Sequence, residues 1–404
     1  MEKVLFESAL GIEKPLYIDE IEFDKKVGKL DVYINFERGG RFSCSCCCSG
    51  NLPVYDTVEK TWRHLNFFEY QCYIHLRTPR TQCPDCGVLL WSPSWSRPDS
   101  GFTMLFEAFI MTLVRDMPVS NVAELVDEHD TKLWRVIRHH TDEAYEVKDF
   151  SDVKKVGCDE TSSKKGHNYV TIFADMETKK VIYATPGKNA DTVRQFVEEL
   201  PNHNAKAEQV KEVTIDMSAA FISGVGEYLP KASITFDKFH VVKLLNEALD
   251  EVRRKEQKDN PILKNSRYAF LKNPINLTEK QELKLEDLTK SNLRTAKVYQ
   301  MKLVFQDIYN NIKDPEEAEA ALKKWLMWAD RSRLEPVRKF SRTVKKHFDG
   351  IMRYFTSKLT SGAMEGLNSR IQTIKRRARG FRNIDNFIAL IYLEMADLDF
   401  SLPT

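Results

Sequence analysis

The most constraining feature of the sequence is a run of short apolar segments and helical patterns between residues 155 and 236. Strand-like segments lie at residues 155–158, 169–174, 181–185, 212–215 and 233–236. Helical patterns lie at residues 191–200 and 218–228, between the later strands. Three consecutive strands followed by alternating helix and strand are typical of a layered α/β core. The sequence therefore predicts such a core here.

Acidic residues follow these apolar segments. Asp159 lies at the predicted mouth of a hairpin strand, before a Lys-Lys-Gly turn, and Asp216 follows the strand-like Val-Thr-Ile segment. Glu365 is flanked by glycines and opens a helical pattern. Carboxylates brought together repel one another unless cations lie between them. Two Mg²⁺ ions about 3.5–4 Å apart hold the attacking and leaving oxygens of a phosphoryl transfer. The three acids predict a metal-ion nuclease site.

Each acid alone is a weak signal, because aspartates at strand ends are common turn formers. Glu160 is adjacent to Asp159, but neighbouring strand residues face opposite ways, so at most one of them points into the site. We choose Asp159 because it follows the strand directly.

Composition excludes some classes of protein. The 404 residues contain 61 Lys and Arg against 59 Asp and Glu, so overall charge does not indicate a nucleic-acid partner. No apolar run approaches the roughly 18 residues of a membrane span, and the N-terminus does not have the pattern of a signal peptide. We therefore expect a cytoplasmic protein, in which eight cysteines favour metal binding over disulfides.

Cysteine spacing predicts a zinc site. Cys83-Pro-Asp-Cys86 is a strong knuckle signal, and the crowded stretch Cys44-Ser-Cys46-Cys47-Cys48 offers a second pair. Two knuckles supply the four thiolates of a tetrahedral structural zinc. We choose Cys44, Cys47, Cys83 and Cys86, although Cys46 and Cys48 compete with the first pair and buried apolar cysteines are the alternative.

Residues 101–147 have helical periodicity and end in a basic helix. A short helix after Pro118, a polar break and a helix capped by Thr131 follow the pattern of a helix-turn-helix. Its outward basic side chains would contact DNA: Lys132, Arg135, Arg138 and His139. An ordinary helical hairpin with a solvated basic face is the alternative.

Residues 240–345 are strongly helical and fit the core poorly, which suggests an inserted domain. Trp325 and Trp328 lie on one of its helices near basic residues. They are either core residues or a platform for an unpaired base at a cut DNA end.

The helix opened by Glu365 has a polar and a basic character. Asn368, Ser369, Gln372 and Arg376 fall on the face of Glu365, opposite an apolar stripe. The dense basic residues suit phosphate contacts: Arg370, Lys375, Arg376, Arg377, Arg379 and Arg382. A solvated helix face is the alternative.

Several motifs together resemble the DDE transposases of the ISL-three (ISL3) insertion-sequence family. They are Cys-Pro-Asp-Cys-Gly at 83–87, Gly-Cys-Asp-Glu at 157–160, Val-Thr-Ile-Asp-Met at 213–217 and Phe-Asp-Lys-Phe-His-Val-Val-Lys at 236–243. Glu-Val-Arg-Arg at 251–254, Ser-Gly-Ala-Met-Glu-Gly-Leu-Asn-Ser-Arg at 361–370 and Arg-Gly-Phe-Arg-Asn at 379–383 complete the set.

The resemblance implies a small zinc-binding β module, a helix-turn-helix and an α/β ribonuclease H-like catalytic core interrupted by an all-helical insertion. The expected boundaries are 1–96, 97–150, 151–242, 243–345 and 346–404. It implies catalytic Asp159, Asp216 and Glu365 with Mg²⁺ or Mn²⁺, structural Zn²⁺, and supporting roles for Asp237 and His240.

The implied function is transposition: binding of terminal inverted repeats, cleavage at element ends and joining to target DNA. The expected partners are double-stranded DNA and at least a second copy of the chain, in a bacterial cytoplasm and on the nucleoid when bound. A DNA-binding regulator with an inactive core and a nuclease or resolvase that cuts without joining are the alternatives.

Overall fold

The computed structural model describes residues 2–163, 168–357 and 362–403. Its residues form two compact units, Met1–Thr141 with Asp399–Thr404 and Asp142–Leu398. The predicted Lys-Lys-Gly turn after Asp159 lies outside the described residues. Among the helices of the described ranges, none has both the length and the apolar character needed to cross a membrane.

The first unit contains a β module followed by helices. Its strands are β1 Leu16–Asp24, β2 Lys29–Phe36, β3 Arg41–Phe42, β4 Leu52–Phe67, β5 Tyr70–Cys83 and β6 Gly87–Leu90, after helix α1 Glu2–Leu10. Its helices are α2 Met104–Leu113, α3 Val119–Val126 and the start of α4 Asp130–Glu146. The strands form one sheet in the order β1-β2-β5-β4-β3, and β6 pairs with β5.

A long β4–β5 hairpin lies between the two cysteine pairs. Its antiparallel register runs from Val54 paired with Thr81 to Phe67 paired with Tyr70. Alternate residues of β5 are buried, including Cys72 and Ile74, so one face covers the core of the module. The hairpin therefore spans the sequence gap between the two knuckles.

The helix-turn-helix arrangement is present in α3 and α4. Helix α3 ends at Asp127, whose left-handed φ of 53° is a common way of stopping a helix before a turn. Helix α4 begins at Asp130, so Thr131 lies in its first turn and does not cap it as we expected. Leu133, Val136 and Ile137 are buried, which leaves the basic side of α4 outward.

A buried carboxylate ties these helices together. Glu107 on α2 is fully buried and accepts hydrogen bonds from Arg97 Nε at 2.9 Å and Ser100 Oγ at 2.6 Å. His140 Nε2 on α4 lies 2.6 Å from the same side chain. Burial would raise the pKa of Glu107, but hydrogen bonds from His140, Ser100 and Arg97 outweigh it and lower the pKa. The ionised carboxylate thus joins α2 to α4.

The second unit is built on a five-stranded sheet. Its strands are β7 Lys155–Ser162, β8 Tyr169–Asp175, β9 Lys180–Pro186, β10 Glu212–Ile215 and β11 Ser233–Phe236. They lie in the order β11-β10-β7-β8-β9. Strands β7, β10 and β11 are parallel, and β8 and β9 continue the sheet antiparallel. This is the ribonuclease H-like order expected from the sequence.

Helices cover both faces of this sheet. Helices α5 Ala190–Glu199 and α6 Ala219–Tyr228 pack on the face that contains Cys158 and Phe173. Helices α14 Gly362–Arg377 and α15 Ile384–Met395 come from the end of the chain, and α14 lies over Gly157 on the opposite face. The sheet and the helices that cover it therefore come from parts of the chain that precede and follow the helical segment in sequence.

Strand β7 is longer than its apolar segment predicts. It continues through Asp159 to Ser162, where Ser162 pairs with Tyr169 of β8. Asp159 therefore lies inside the strand, and its expected position at the strand mouth was wrong. The hydrogen bonds to β8 outweigh the low strand propensity of the polar residues.

Between β11 and α14 the described chain is helical. The elements are α7 Lys238–Glu256, α8 Arg267–Leu271, α9 Glu279–Thr289, α10 Arg294–Asn311, α11 Pro315–Arg331, α12 Glu335–Lys346 and α13 Phe348–Ser357. Trp325 is buried, and its indole N–H donates to the Met301 carbonyl at 2.8 Å. Trp328 packs against the same apolar cluster. The core alternative is therefore confirmed for Trp325, whereas Trp328 is half-buried.

Candidate functional site

Four cysteine sulfurs converge in the first unit. The four sulfur atoms all lie within 4.8 Å of one another, and they belong to Cys44, Cys47, Cys83 and Cys86. The Cys47 and Cys83 sulfurs are 3.6 Å apart. Cys46 and Cys48 are exposed and do not belong to this set among the described residues. The geometry thus selects the four thiols chosen from the sequence.

The donor set fits a soft, tetrahedral ion. The backbone N–H of Cys46 donates a hydrogen bond to the Cys44 sulfur at 3.4 Å. Backbone N–H groups of Cys47 and Cys46 lower the pKa of the Cys44 thiol to about 7, which favours the thiolate that binds metal. Four thiolates are the donor set of structural zinc.

The basic residues of α4 differ in their surroundings. Lys132 pairs with Glu128 at 2.8 Å, and Arg135 is exposed. Arg138 is half-buried, and its Nε donates to the Trp134 carbonyl at 3.4 Å. Lys132 and Arg135 are therefore more accessible to DNA than Arg138.

The sheet register aligns three aspartates. Thr214 of β10 pairs with Gly157 of β7, so continuing by two places sets Asp216 beside Asp159. Ile215 pairs with Phe236 of β11, and one further place sets Asp216 beside Asp237. Neighbouring strands are about 4.8 Å apart, and residues in register point to the same face. The register therefore aligns Asp159, inside β7, with Asp216 and Asp237, which directly follow β10 and β11. We call these three residues the aspartate row.

The charges of these side chains influence one another. Burial raises the pKa of Asp159, and repulsion from Asp216 contributes in the same direction, although the Glu160 N–H and His240 oppose it. His240 Nδ1 lies 3.2 Å from Asp237 Oδ2. This hydrogen bond raises the pKa of His240 against burial, helped by the charges of Asp159 and Asp216. The row is a half-buried group of acidic side chains, which is the kind of place where a cation can bind.

Glu160 also contributes to this field. Burial raises the pKa of Glu160, Lys188 opposes this, and repulsion from Asp216 and Asp159 adds to it. Its side chain is less buried than that of Asp159.

Helix α14 is fixed to β7 by a repeating set of contacts. The Asn368 amide donates to Asp159 Oδ2, and Gln372 Nε2 donates to Thr161 Oγ1 at 3.1 Å. A Cβ at Gly157 would lie 2.6 Å from the Met364 sulfur, so only glycine leaves room for this helix. From Asp159 to Thr161 the strand advances about 6.6 Å, and from Asn368 to Gln372 the helix advances about 6 Å. The two hydrogen bonds therefore repeat at almost the same spacing along both elements.

Glu365 lies on the helix that contacts Asp159, but its side chain does not join the aspartate row. It begins the helical turn that reaches Asn368, and its side chain is exposed on the wall of a cavity that Lys238 also lines. Burial lowers the pKa of Lys238, and the charge of Glu365 opposes that shift. Among the described residues, Asp159, Asp216 and Glu365 do not form a set with all oxygens within 4.8 Å. The structure thus brings together two of the three predicted catalytic acids.

The basic residues of α14 divide into two groups. Lys375 Nζ donates to Ser162 Oγ at 2.9 Å, Arg370 donates to the Glu394 carbonyl at 2.8 Å, and Arg377 pairs with the Glu394 carboxylate. Three further arginines, at the end of α14 and just after it, are exposed and make no such contact to β7 or Glu394: Arg376, Arg379 and Arg382. The exposed group is the better placed for phosphate contacts.

Replacing Asn368 tests the link between α14 and Asp159. Loss of an outer partner of a metal ligand typically costs about 10- to 100-fold in metal affinity or activity, so Asn368→Ala should slow DNA cleavage by that factor. Raising the Mg²⁺ concentration should restore part of the rate. Ser369→Ala, on the exposed next position, is the matched control and should cleave normally. Equal rates for both variants would show that the Asn368 contact has no role in the reaction.

Sequence reasoning missed the pairing of Asn368 with Asp159 and the close approach at Gly157. Two signals were available. Asn368 follows Glu365 by three residues on one helix face, and a glycine inside a strand often marks close contact with another element.

Comparison with known proteins agrees with this architecture. The ISL3 DDE family profile, described as "Transposase", matches residues 156–391. The "Helix-turn-helix domain of transposase family ISL3" matches residues 92–141. The "zinc-finger of transposase IS204/IS1001/IS1096/IS1165" matches residues 40–86.

Two curated relatives are similar along almost their whole length. The transposase for insertion sequence element IS1557 of Mycobacterium tuberculosis is 28% identical, over 99% of this chain and 97% of the relative. The transposase for insertion sequence element IS1001 of Bordetella parapertussis is 28% identical, over 97% of this chain and 98% of the relative. With a profile match over more than half of its residues, a ribonuclease H-like core and a four-cysteine module, this chain belongs to the ISL3 family of DDE transposases.

Proposed function

We propose that this transposase binds the terminal inverted repeats of its own insertion sequence, cuts at the element ends with Mg²⁺, and joins the freed 3′ ends to target DNA. The aspartate row across β7, β10 and β11 is the observation that carries the proposal. Family membership implies divalent-metal catalysis, and the half-buried carboxylates fit that chemistry.

The proposed metal ligands are Asp159, Asp216 and Glu365. When bound, two divalent ions supply positive charge to the attacking and leaving oxygens of the phosphoryl transfer. Asp159 is oriented by Asn368 and by the Glu160 N–H. Glu365 would complete the set from α14, whose next turn already contacts Asp159. The proposal for Glu365 is supported by this position on the helix and by its match to the family motif.

Asp237 and His240 are proposed as positioning residues. Asp237 caps α7 by accepting from the Phe239 N–H at 2.8 Å, and it holds His240 over the aspartate row. The charge of His240 opposes the rise in the pKa of Asp159 and so favours its carboxylate form.

The zinc module and α4 are proposed to recognise the terminal repeats. Cys44, Cys47, Cys83 and Cys86 would hold one structural Zn²⁺. Helix α4 presents Lys132, Arg135 and Arg138, and the end of α14 offers Arg376, Arg379 and Arg382 for phosphates. Joining two element ends to one target needs two active sites, so we propose a homodimer or larger assembly on DNA.

A strand-transfer assay tests the proposed function. Labelled DNA from both flanks of the coding gene, which contains the element ends, is incubated with the protein, Mg²⁺ and an unlabelled target. We expect cut ends and joined products, and neither in the presence of a chelator. Binding without cutting would indicate a regulator, and cutting without joined products would indicate a nuclease or resolvase. Either result contradicts the proposal.

A further inference from the structure

A cavity of about 820 Å³ in the second unit opens beside the candidate metal site. Helix α7 forms one wall with Phe239, Val242 and Asn246, which recur at helical spacing on one face. His240, one residue after Phe239, interacts instead with Asp159 and Asp216. The first turn of α7 therefore separates the cavity from the aspartate row by the thickness of one helix.

Helix α10 forms the opposite wall with Leu303, Gln306 and Asn310 at the same spacing. Lys238 Nζ donates to Asn310 Oδ1 at 2.6 Å and joins the two walls. Gln306 Nε2 lies 3.3 Å from Asn273 Oδ1. The walls thus hold amide side chains at defined positions.

The third wall is the chain after α8, and a buried lysine fixes it. Lys302 is fully buried, and its Nζ donates to the carbonyls of Phe270 at 2.8 Å and Leu271 at 3.0 Å. Burial lowers the pKa of Lys302 to about 8. These bonds hold the segment that presents Asn273 and Ile275 to the cavity.

The lining has the chemistry of a nucleobase site. Phe239 is 57% and Ile275 91% exposed, so two apolar surfaces lack cover. Asn246 Oδ1 is buried and has no hydrogen-bond partner among the described residues. An exposed apolar surface beside the unsatisfied Asn246 amide oxygen suits a flat heterocycle with hydrogen-bond donors at its edge.

The charge of the lining favours a base over a phosphate. Two lysines, Lys238 and Lys243, are balanced by two acids, Asp307 and Glu365. A lining of balanced charge does not concentrate an anion, whereas a neutral base enters it without electrostatic cost.

We propose that this cavity receives an unpaired nucleobase of the DNA held at the metal site, with Phe239 as the stacking surface and Asn246 as a contact to the base edge. The proposal rests on the proposed function, because the DNA must lie along the aspartate row. Glu365 lines the cavity, and Asn368 one turn later contacts Asp159, so the base belongs to a nucleotide next to the scissile phosphate.

The test measures binding to two DNA probes that have the same duplex sequence. One probe is blunt, and the other has a few unpaired nucleotides at its 5′ end. Stacking contributes about 1–3 kcal/mol per base, so Phe239→Ala should weaken binding of the overhang probe about tenfold and leave the blunt probe unchanged. Asn246→Ala should act in the same direction. Tyr268→Ala removes an aromatic of similar exposure, 58%, outside the cavity and should affect neither probe. Binding needs no cleavage, so the reaction is not part of this readout.

Photocrosslinking locates the base. An overhang carrying 5-iodouracil should crosslink to the tryptic peptide of residues 239–243, and a blunt probe should not. Crosslinks found only in other peptides would overturn the nucleobase site. An equal loss of binding to both probes in Phe239→Ala would also overturn it. Either result leaves the transposase proposal intact. A wild-type protein that binds neither probe contradicts the proposed function itself, and with it this site.

Discussion

Asp216→Asn should abolish DNA cleavage and leave DNA binding unchanged. The substitution keeps the size of the side chain but removes one negative charge from the aspartate row, which lowers its affinity for a divalent cation. Loss of an outer metal partner already costs about 10- to 100-fold, so loss of a ligand should reduce the cleavage rate by more than about 100-fold. The measurement is a single-turnover cleavage time course, with DNA binding measured in parallel.

Asp152→Asn is the matched control. Asp152 is an exposed aspartate of the same unit, outside the row, and its replacement should not change cleavage. Asp159→Asn should reproduce the defect of Asp216→Asn, because the two carboxylates lie side by side in the sheet register. Normal cleavage by either row variant would remove that aspartate from the site.

Cys83→Ser should release the zinc and weaken DNA-end recognition. Cys83 is buried in the four-sulfur cluster, and a serine hydroxyl is a poor replacement for a thiolate. Structural zinc contributes about 10–16 kcal/mol of binding free energy in small zinc modules, so its loss should unfold the local knuckle. Metal analysis should find one zinc per wild-type chain and none in the variant.

Cys48→Ser provides the control within the same cysteine-rich stretch. Cys48 is exposed and lies outside the set of converging sulfurs, so its replacement should keep both zinc and DNA binding. Full zinc occupancy in Cys83→Ser, or loss of zinc in Cys48→Ser, would mean that the four ligands are chosen wrongly.

The arrangement of strands and helices in the core follows from local patterns. Asp216 and Asp237 were expected after strands because each follows a short apolar segment, and they do follow β10 and β11. Asp159 was placed at the end of a strand because Glu160 and Ser162 are polar. The strand continues because β8 offers a pairing edge, which depends on residues distant in sequence.

The meeting of distant residues could be predicted less well. Register sets Asp159 beside Asp216, and no local pattern specifies register between strands separated by a helix. The choice of Cys44 and Cys47 among crowded cysteines depends on how the β4–β5 hairpin returns Cys83 to them. The two alternatives for Trp325 could not be separated from the sequence, since a tryptophan near basic residues on a helix looks the same in sequence whether it is core or exposed.

A structure of the protein with DNA and Mn²⁺, with manganese located by its anomalous scattering, would show whether the predicted acids hold the metal. We expect manganese bound by the carboxylates of Asp159 and Asp216, with Glu365 completing the set against a DNA phosphate. Manganese bound elsewhere, or a DNA phosphate at the aspartate row without metal, would contradict this expectation.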